Sequence, residues 1–250
     1  MKTTSLSLII VLVCTIAAAQ RPAADKIETS EGLLTIQPLN HATLALTWQN
    51  KTIYTDPNGG AKTFDGIAAP DLILITDIHG DHFNPETLQA INATDVTLIV
   101  PQAVADKLPE GLKRKAVVLS NGETKSHMDI SITAVPMYNI PESPSRHPKG
   151  RGNGYVLTFG NKKVYLSGDT SGIPEMRALK DIDVAFVCMN LPYTMDINEA
   201  SQAVLDFKPK VVYPYHYRGQ GGLSDTEAFK KLVNDKNKNI EVRLRNWYGG

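Results

Sequence analysis

An apolar run, Leu72-Ile73-Leu74-Ile75-Thr76, leads within three residues to His79-Gly80-Asp81-His82. A strand that ends on three ligand-grade side chains constrains the fold, because its end must open onto a site where other elements converge. Imidazole and carboxylate are donors that a borderline divalent ion such as zinc accepts. Turn chemistry alone accounts for Asp and Gly but gives no reason for two His. A lone His beside an Asp is more often a hydrogen-bonded surface pair, so the rest of the chain decides.

Of the six His, four (His79, His82, His147 and His216) fall at expected strand ends or in loops beside strands, where layered α/β architectures place their sites. His147 opens the Gly-rich stretch His147-Pro148-Lys149-Gly150-Arg151-Gly152-Asn153-Gly154, expected to be a loop before the strand Tyr155-Val156-Leu157-Thr158-Phe159. A ligand bond would pin such a loop; otherwise the His is solvated. Asp169, in Ser167-Gly168-Asp169-Thr170, follows another strand, where it either ligates or caps a helix. His216 ends the aromatic strand Val211-Val212-Tyr213-Pro214-Tyr215 and, taken alone, reads as a core side chain.

The order of strand, His-x-Asp-His, distant His, Gly-Asp-Thr and distant His resembles the metallo-β-lactamase superfamily over nearly all of the chain. That resemblance implies an α/β fold, a four-layer αββα sandwich. The positions matching the superfamily's His-x-His-x-Asp-His signature and later ligands are Asp77, His79, Asp81, His82, His147, Asp169 and His216. Asp77 departs from the pattern, standing where the first His belongs. The segments Asn40-His41-Ala42, Thr55-Asp56-Pro57, Ser167-Gly168-Asp169-Thr170 and Tyr193-Thr194-Met195 look like the branch of ascorbate-6-phosphate lactonase, which is similar to the phospholipase D acting on N-acyl phosphatidylethanolamines.

By that resemblance two divalent ions bind, one on Asp77, His79 and His147, the other on Asp81, His82 and His216, with Asp169 between them. Zinc is the first expectation, with manganese and iron as alternatives. Ions about 3.5 to 4 Å apart lower the pKa of a shared water and polarise the substrate oxygen, so a metal-bridging hydroxide is the implied nucleophile. Asp81 then both ligates and orients it, and is catalytic as well as metal-binding. Counting the ligands alone, Asp77 removes the positive charge that a neutral His would leave over, which predicts a milder Lewis acid and favours harder ions.

Tyr193 is the better candidate for donating to a developing oxyanion, Tyr217 the weaker. His41, in an expected hairpin loop, either orients a ligand, touches substrate or is merely solvated; His127 is expected to be exposed. Lys149 and Arg151 either recognise a phosphate or carboxylate or are ordinary solvated charges. No Ser or Cys nucleophile is needed: Cys14 lies near the N-terminus, and Cys188 ends an apolar strand as a small hydrophobe.

The 250 residues suit one domain, with no internal repeat or linker, and helices are expected near 86–90, 197–207 and 224–232. In the middle one, Ala200, Ala203, Val204 and Phe207 recur at helical spacing. Residues 1–19 read as a secretory signal peptide, with Lys2, an apolar run and Ala17-Ala18-Ala19, leaving a hydrolase domain over 20–250 in the periplasm or secreted. The apolar run is too short for a stable membrane anchor. Without the leader, 26 acidic residues face 25 basic ones, which leaves no electrostatic footprint for nucleic acid. The expected function is metal-dependent hydrolysis of a small-molecule ester, lactone, amide or phosphodiester. The alternative is a non-catalytic metal- or ligand-binding protein on the same fold, for which Asp77 is the best argument.

Overall fold

Two seven-stranded sheets carry the chain, and both are built by one rule. The structure, a computed structural model, describes residues 21–142 and 146–248; the expected leader lies outside them. The first sheet runs in order through β1 (Asp25–Thr29), β2 (Gly32–Asn40), β3 (Thr43–Trp48), β4 (Lys51–Thr55), β5 (Leu72–Leu74), β6 (Thr97–Val100) and β7 (Ala116–Val118). Its first four strands pair antiparallel and β4 to β7 pair parallel. The second sheet repeats this with β8 (Thr124–His127), β9 (Ile130–Met137), β10 (Gly152–Phe159) and β11 (Lys162–Leu166) antiparallel, followed by β12 (Val184–Cys188) and β13 (Val211–Tyr215), parallel. A short hairpin, β14 (Arg218–Gly219) with β15 (Gly222–Leu223), precedes the last parallel strand, β16 (Glu241–Val242).

Local chemistry explains the switch. Apart from β9 and β10, antiparallel neighbours are joined by tight turns, two of which place both central residues at positive φ: Gln49-Asn50 and Met128-Asp129. Such turns match the twist of the flanking strands. Parallel neighbours need crossovers. Those of the first sheet use α1 (Pro85–Ala90), α2 (Gln102–Ala105) and α3 (Glu110–Lys113); those of the second use α4 (Pro174–Arg177), α5 (Ile197–Phe207) and α6 (Thr226–Lys236). None of the described helices is long and apolar enough to cross a membrane.

Period-two alternation then sorts side chains into layers. Leu72 and Leu74 of β5 join the core that includes Ile132 and Leu157 of the opposite sheet, whereas Ile73 and Ile75 pack with Leu88, Val104 and Leu112 beneath the helices. Each such fully buried side chain contributes roughly 1.5–3 kcal/mol. On α5 the expected face is buried through Ala200, Ala203, Val204 and Phe207, and Asp196 caps the helix by accepting from the Glu199 amide. The third expected helix starts two residues later than its pattern suggested, because Asp225 caps it, and it continues to Lys236 while Val233 still packs.

One expectation needs correcting. The Gly-rich stretch after His147 is not loop throughout, since Gly152-Asn153-Gly154 already belong to β10. The Asn153 amide donates to the Thr76 carbonyl (2.9 Å), which ties the two sheets together beside the His-x-Asp-His turn. Here glycine permits close approach: a Cβ on Gly154 would meet the Leu166 and Ser167 carbonyl oxygens at 2.9 Å, and one on Gly152 the Thr76 oxygen at 2.8 Å. Gly154→Ala should therefore cost about 1–3 kcal/mol, seen as a lower Tm in thermal denaturation, whereas Gly111→Ala, which meets nothing within 4 Å, should not bring this clash.

Candidate metal centre

The carboxyl ends of the parallel strands converge where the two sheets meet. After β5 the chain turns through Asp77 to His82, closed by the His82 and Phe83 amides donating to the His79 carbonyl (3.0 and 2.8 Å). Asp169 follows β11 and His216 follows β13, while His147 arrives on the connection between β9 and β10. All seven expected ligands thus come together, in three donor groups whose atoms lie within 4.8 Å of one another: Asp77, His79 and His147 form one, His82, Asp169 and His216 another, and Asp81 joins His216 and His41 in a third.

The spacings suit ions. Within the second group His82 Nε2 is 3.5 Å from Asp169 Oδ2 and His216 Nε2 is 3.4 Å from Asp169 Oδ1. Asp81 Oδ2 lies 3.2 Å from His216 Nε2. In the first group Asp77 Oδ2 is 2.7 Å from His79 Nδ1 and 4.0 Å from His147 Nε2. Asp169 Oδ2, 3.3 Å from His147 Nε2, links the groups. A tetrahedral ion about 2.0–2.1 Å from each nitrogen sets its donors roughly 3.3 Å apart. Three buried atoms of the donor residues, His147 Nε2, Asp169 Oδ1 and His216 Nδ1, have no hydrogen-bond partner, and the first two face the other donors; such an arrangement costs free energy unless something else binds them.

Electrostatics point the same way. Burial alone would raise the Asp169 carboxyl, yet His216, His82 and His147 hold it well below the usual range. Burial would lower the His82 imidazole, but Asp169, Asp81 and Asp56 raise it well above its ordinary value. Asp81 is likewise held well below the carboxylate range, its desolvation outweighed by His82, His216 and His41. This cluster demands positive charge.

An outer ring of contacts orients the donors, as ligating imidazoles usually require. Asp56 Oδ2 takes His82 Nδ1 at 2.7 Å, and its carboxylate also accepts from the Thr76 amide and hydroxyl at 2.7 and 2.6 Å. Asn139 Oδ1 holds His147 Nδ1 at 3.0 Å. His41 Nε2 reaches Asp81 Oδ2 at 3.2 Å while its Nδ1 meets the Tyr248 hydroxyl at 2.7 Å. His41, Asp56 and His216 all sit at positive φ, strained backbone gathered where the donors converge.

The pattern of the β-lactamase superfamily domain matches residues 35–216, a span that contains every one of these donors. The chain belongs to the metallo-β-lactamase superfamily. Within it, a UPF0173 metal-dependent hydrolase of Thermococcus onnurineus is 30% identical over 213 residues, 82% of this chain and 94% of that one. A proposed metal-dependent hydrolase from Parabacteroides distasonis, known as a crystal structure, is 39% identical with a TM-score of 0.78, covering 89% of this chain and 98% of its own. The metallo hydrolase Igni18 of Ignicoccus hospitalis shares the fold at 22% identity and a TM-score of 0.72, over 85% of this chain and 95% of that one.

The structure decides between several readings that the sequence left open around this superfamily site. Lys149 and Arg151 are not available to an anion: Lys149 pairs with Glu175 at 2.8 Å, and Arg151 grips Asp77 through Nε–Oδ1 at 3.1 Å and Nη2–Oδ2 at 3.0 Å. Tyr217 is packing, its hydroxyl donating to the Arg245 carbonyl (3.0 Å). Cys188 is buried and its thiol is pushed up to about 11 chiefly by that burial, so it is no nucleophile. Tyr193, 40% exposed, does line the cavity of about 540 Å³ above the donors, together with Arg146, Arg218 and Gln220. The sequence reading assigned no role to Asp56, Asn139, Tyr248, Arg146 or Arg218. Of these only Asp56 carried a signal, in Thr55-Asp56-Pro57 at the end of a strand. Because Asp56 fixes the His82 ring, Asp56→Asn should weaken metal binding about 10–100-fold, measurable by competition with a chromophoric chelator.

Proposed function

We propose that the chain is a metal-dependent hydrolase of small esters, lactones, amides or phosphodiesters that carry an anionic group. The observation supporting this most is the pair of adjoining donor groups at the floor of an open cavity, with buried His147 Nε2 and Asp169 Oδ1 unpartnered. The names of the UPF0173 relatives agree with it. Divalent ions held there, zinc first among them, supply an acidified water and polarise the oxygen of the scissile group.

The side chains supply the rest. Asp81, 40% exposed and charged, faces the cavity with Oδ2 anchored by His41 and His216, positioned to accept a hydrogen bond from the attacking water and orient it. Tyr193 lines the cavity, and its hydroxyl is the proposed donor to the oxyanion that develops on the substrate. Arg146 lies over the Tyr193 ring (5.5 Å) and Arg218 over the Tyr248 ring (4.0 Å), and neither guanidinium has a carboxylate within 4.0 Å among the described residues. Two guanidinia on the wall of a metal pocket suit a carboxylate or phosphate, which Arg binds in a fork. Phosphorylated lactones, N-acyl phosphatidylethanolamines and β-lactams belong on the substrate panel, the first two because of the branch segments. The leader-like pattern of residues 1–19 supports action outside the cytoplasm.

Chelation should abolish turnover on that panel and added zinc or manganese should restore it. Arg146→Ala and Arg218→Ala should raise KM about tenfold or more for an anionic substrate with little change in kcat, the signature of lost uniform binding. Full metal occupancy without turnover of any anionic ester, lactone or phosphodiester would favour the non-catalytic binding reading.

A further inference from the structure

Asp77 occupies a position where a carboxylate needs explaining. It is completely buried, and Oδ2 serves two sides at once: it lies among the donors, 2.7 Å from His79 Nδ1, and accepts Arg151 Nη2 at 3.0 Å, while Oδ1 accepts Arg151 Nε at 3.1 Å. The grip is built into the fold. Arg151 leads directly into β10, Asp77 follows Thr76, and the Asn153 amide donates to the Thr76 carbonyl, so the bond that joins the two sheets also sets the two side chains opposite each other. The second Nη2 contact, to the Arg146 carbonyl, holds the guanidinium plane. A fork engages the inner lone pairs of a carboxylate and leaves the outer ones free for a further partner.

We infer that Arg151 is a built-in counter-charge for Asp77, so that the first donor group meets its ion with the net charge of an all-imidazole site. Ligands counted alone suggest that Asp77 neutralises the centre and softens its Lewis acidity. Adding the guanidinium restores the positive charge, and that softening is not expected. Arg151 is thus a positioning residue, acting through Asp77 and not on substrate, and its pairing explains why its charge is withdrawn from anion recognition. The inference rests on the proposed metal centre and extends it to a specific pair.

The pair predicts a reciprocal dependence that metal binding reads without turnover. Zinc-to-protein ratio after dialysis, with stepwise affinities from chelator competition, is measured for the full mature chain and three variants whose folding is checked by circular dichroism. The wild-type chain should hold two ions. Asp77→His alone leaves an unpaired guanidinium beside the first site and should weaken that ion about tenfold or more. Asp77→His with Arg151→Gln removes the stray charge and should restore the first ion to near wild-type affinity. Should the single variant fail to fold, Asp77→His with Arg151→Lys replaces it: this differs from the Gln double variant by one charge and should bind the first ion more weakly. Equal first-site affinity with and without the cation overturns the inference. So does a wild-type chain that holds one ion while Asp77→His holds two, because the fork would then be excluding the ion. A wild-type chain that binds no metal sinks the hydrolase reading itself, an outcome distinct from either.

Discussion

The buried carboxylates at the junction of the sheets govern the rest of this molecule. Asp56, Asp77 and Asp169 are nearly or wholly out of water, and Asp81 is half-exposed beside them. An isolated buried carboxylate costs many kcal/mol unless it is paired and hydrogen-bonded. Here each has a cationic or donor partner: His82 and Thr76 for Asp56, Arg151 and His79 for Asp77, and the imidazoles of His82, His147 and His216 for Asp169. The imidazoles serve as partial compensation, and the unpartnered His147 Nε2 and Asp169 Oδ1 mark where that compensation is incomplete. The energetic need for positive charge and the chemistry proposed for the site are therefore one property.

The double sheet makes such a concentration of charge possible. Each half runs four antiparallel strands and then switches to parallel, and the parallel strands present their carboxyl ends to one place. Asp56 and the His-x-Asp-His turn come from the first half, Asp169 and His216 from the second. Neither sheet alone holds a complete donor set. Gly152 and Gly154 let β10 run close under Thr76 and the end of β11, so the rigid interior reaches to within one residue of Asp77. A donor array carried on packed strand ends is more exactingly placed than one carried on loops.

Much of this was legible in the chain itself. The His-x-Asp-His cluster, the apolar face of α5 and the layered α/β class follow from residue types at strand ends and from helical spacing, because strand termini and amphipathic faces leave local signatures; Asp77 and the grouping with His147, Asp169 and His216 came only through resemblance to the superfamily. Ring-orienting contacts leave none. Asn139 and Tyr248 are an ordinary amide and an ordinary aromatic until folding brings them to His147 and His41 across 8 and 207 residues of sequence. Charges are equally silent: Lys149 and Arg151 on one loop looked like a pair for an anion, yet folding pairs them with Glu175 and Asp77, and leaves Arg146 and Arg218 facing the cavity.

The repeated strand pattern of the two halves also has no counterpart in any visible sequence repeat, because a sheet requires only alternation and turn chemistry and not particular residues. By itself, then, the sequence determined which residues offer metal-ligating donor atoms, which segments form strands and helices, and that several of those donors stand at strand ends; these depend on side-chain type and local periodicity. Tertiary structure alone decided which donors come within reach of one another, which charges pair and which face the cavity. Those outcomes depend on distances between residues far apart in the chain, and a Coulomb interaction inside a protein is set by separation and burial.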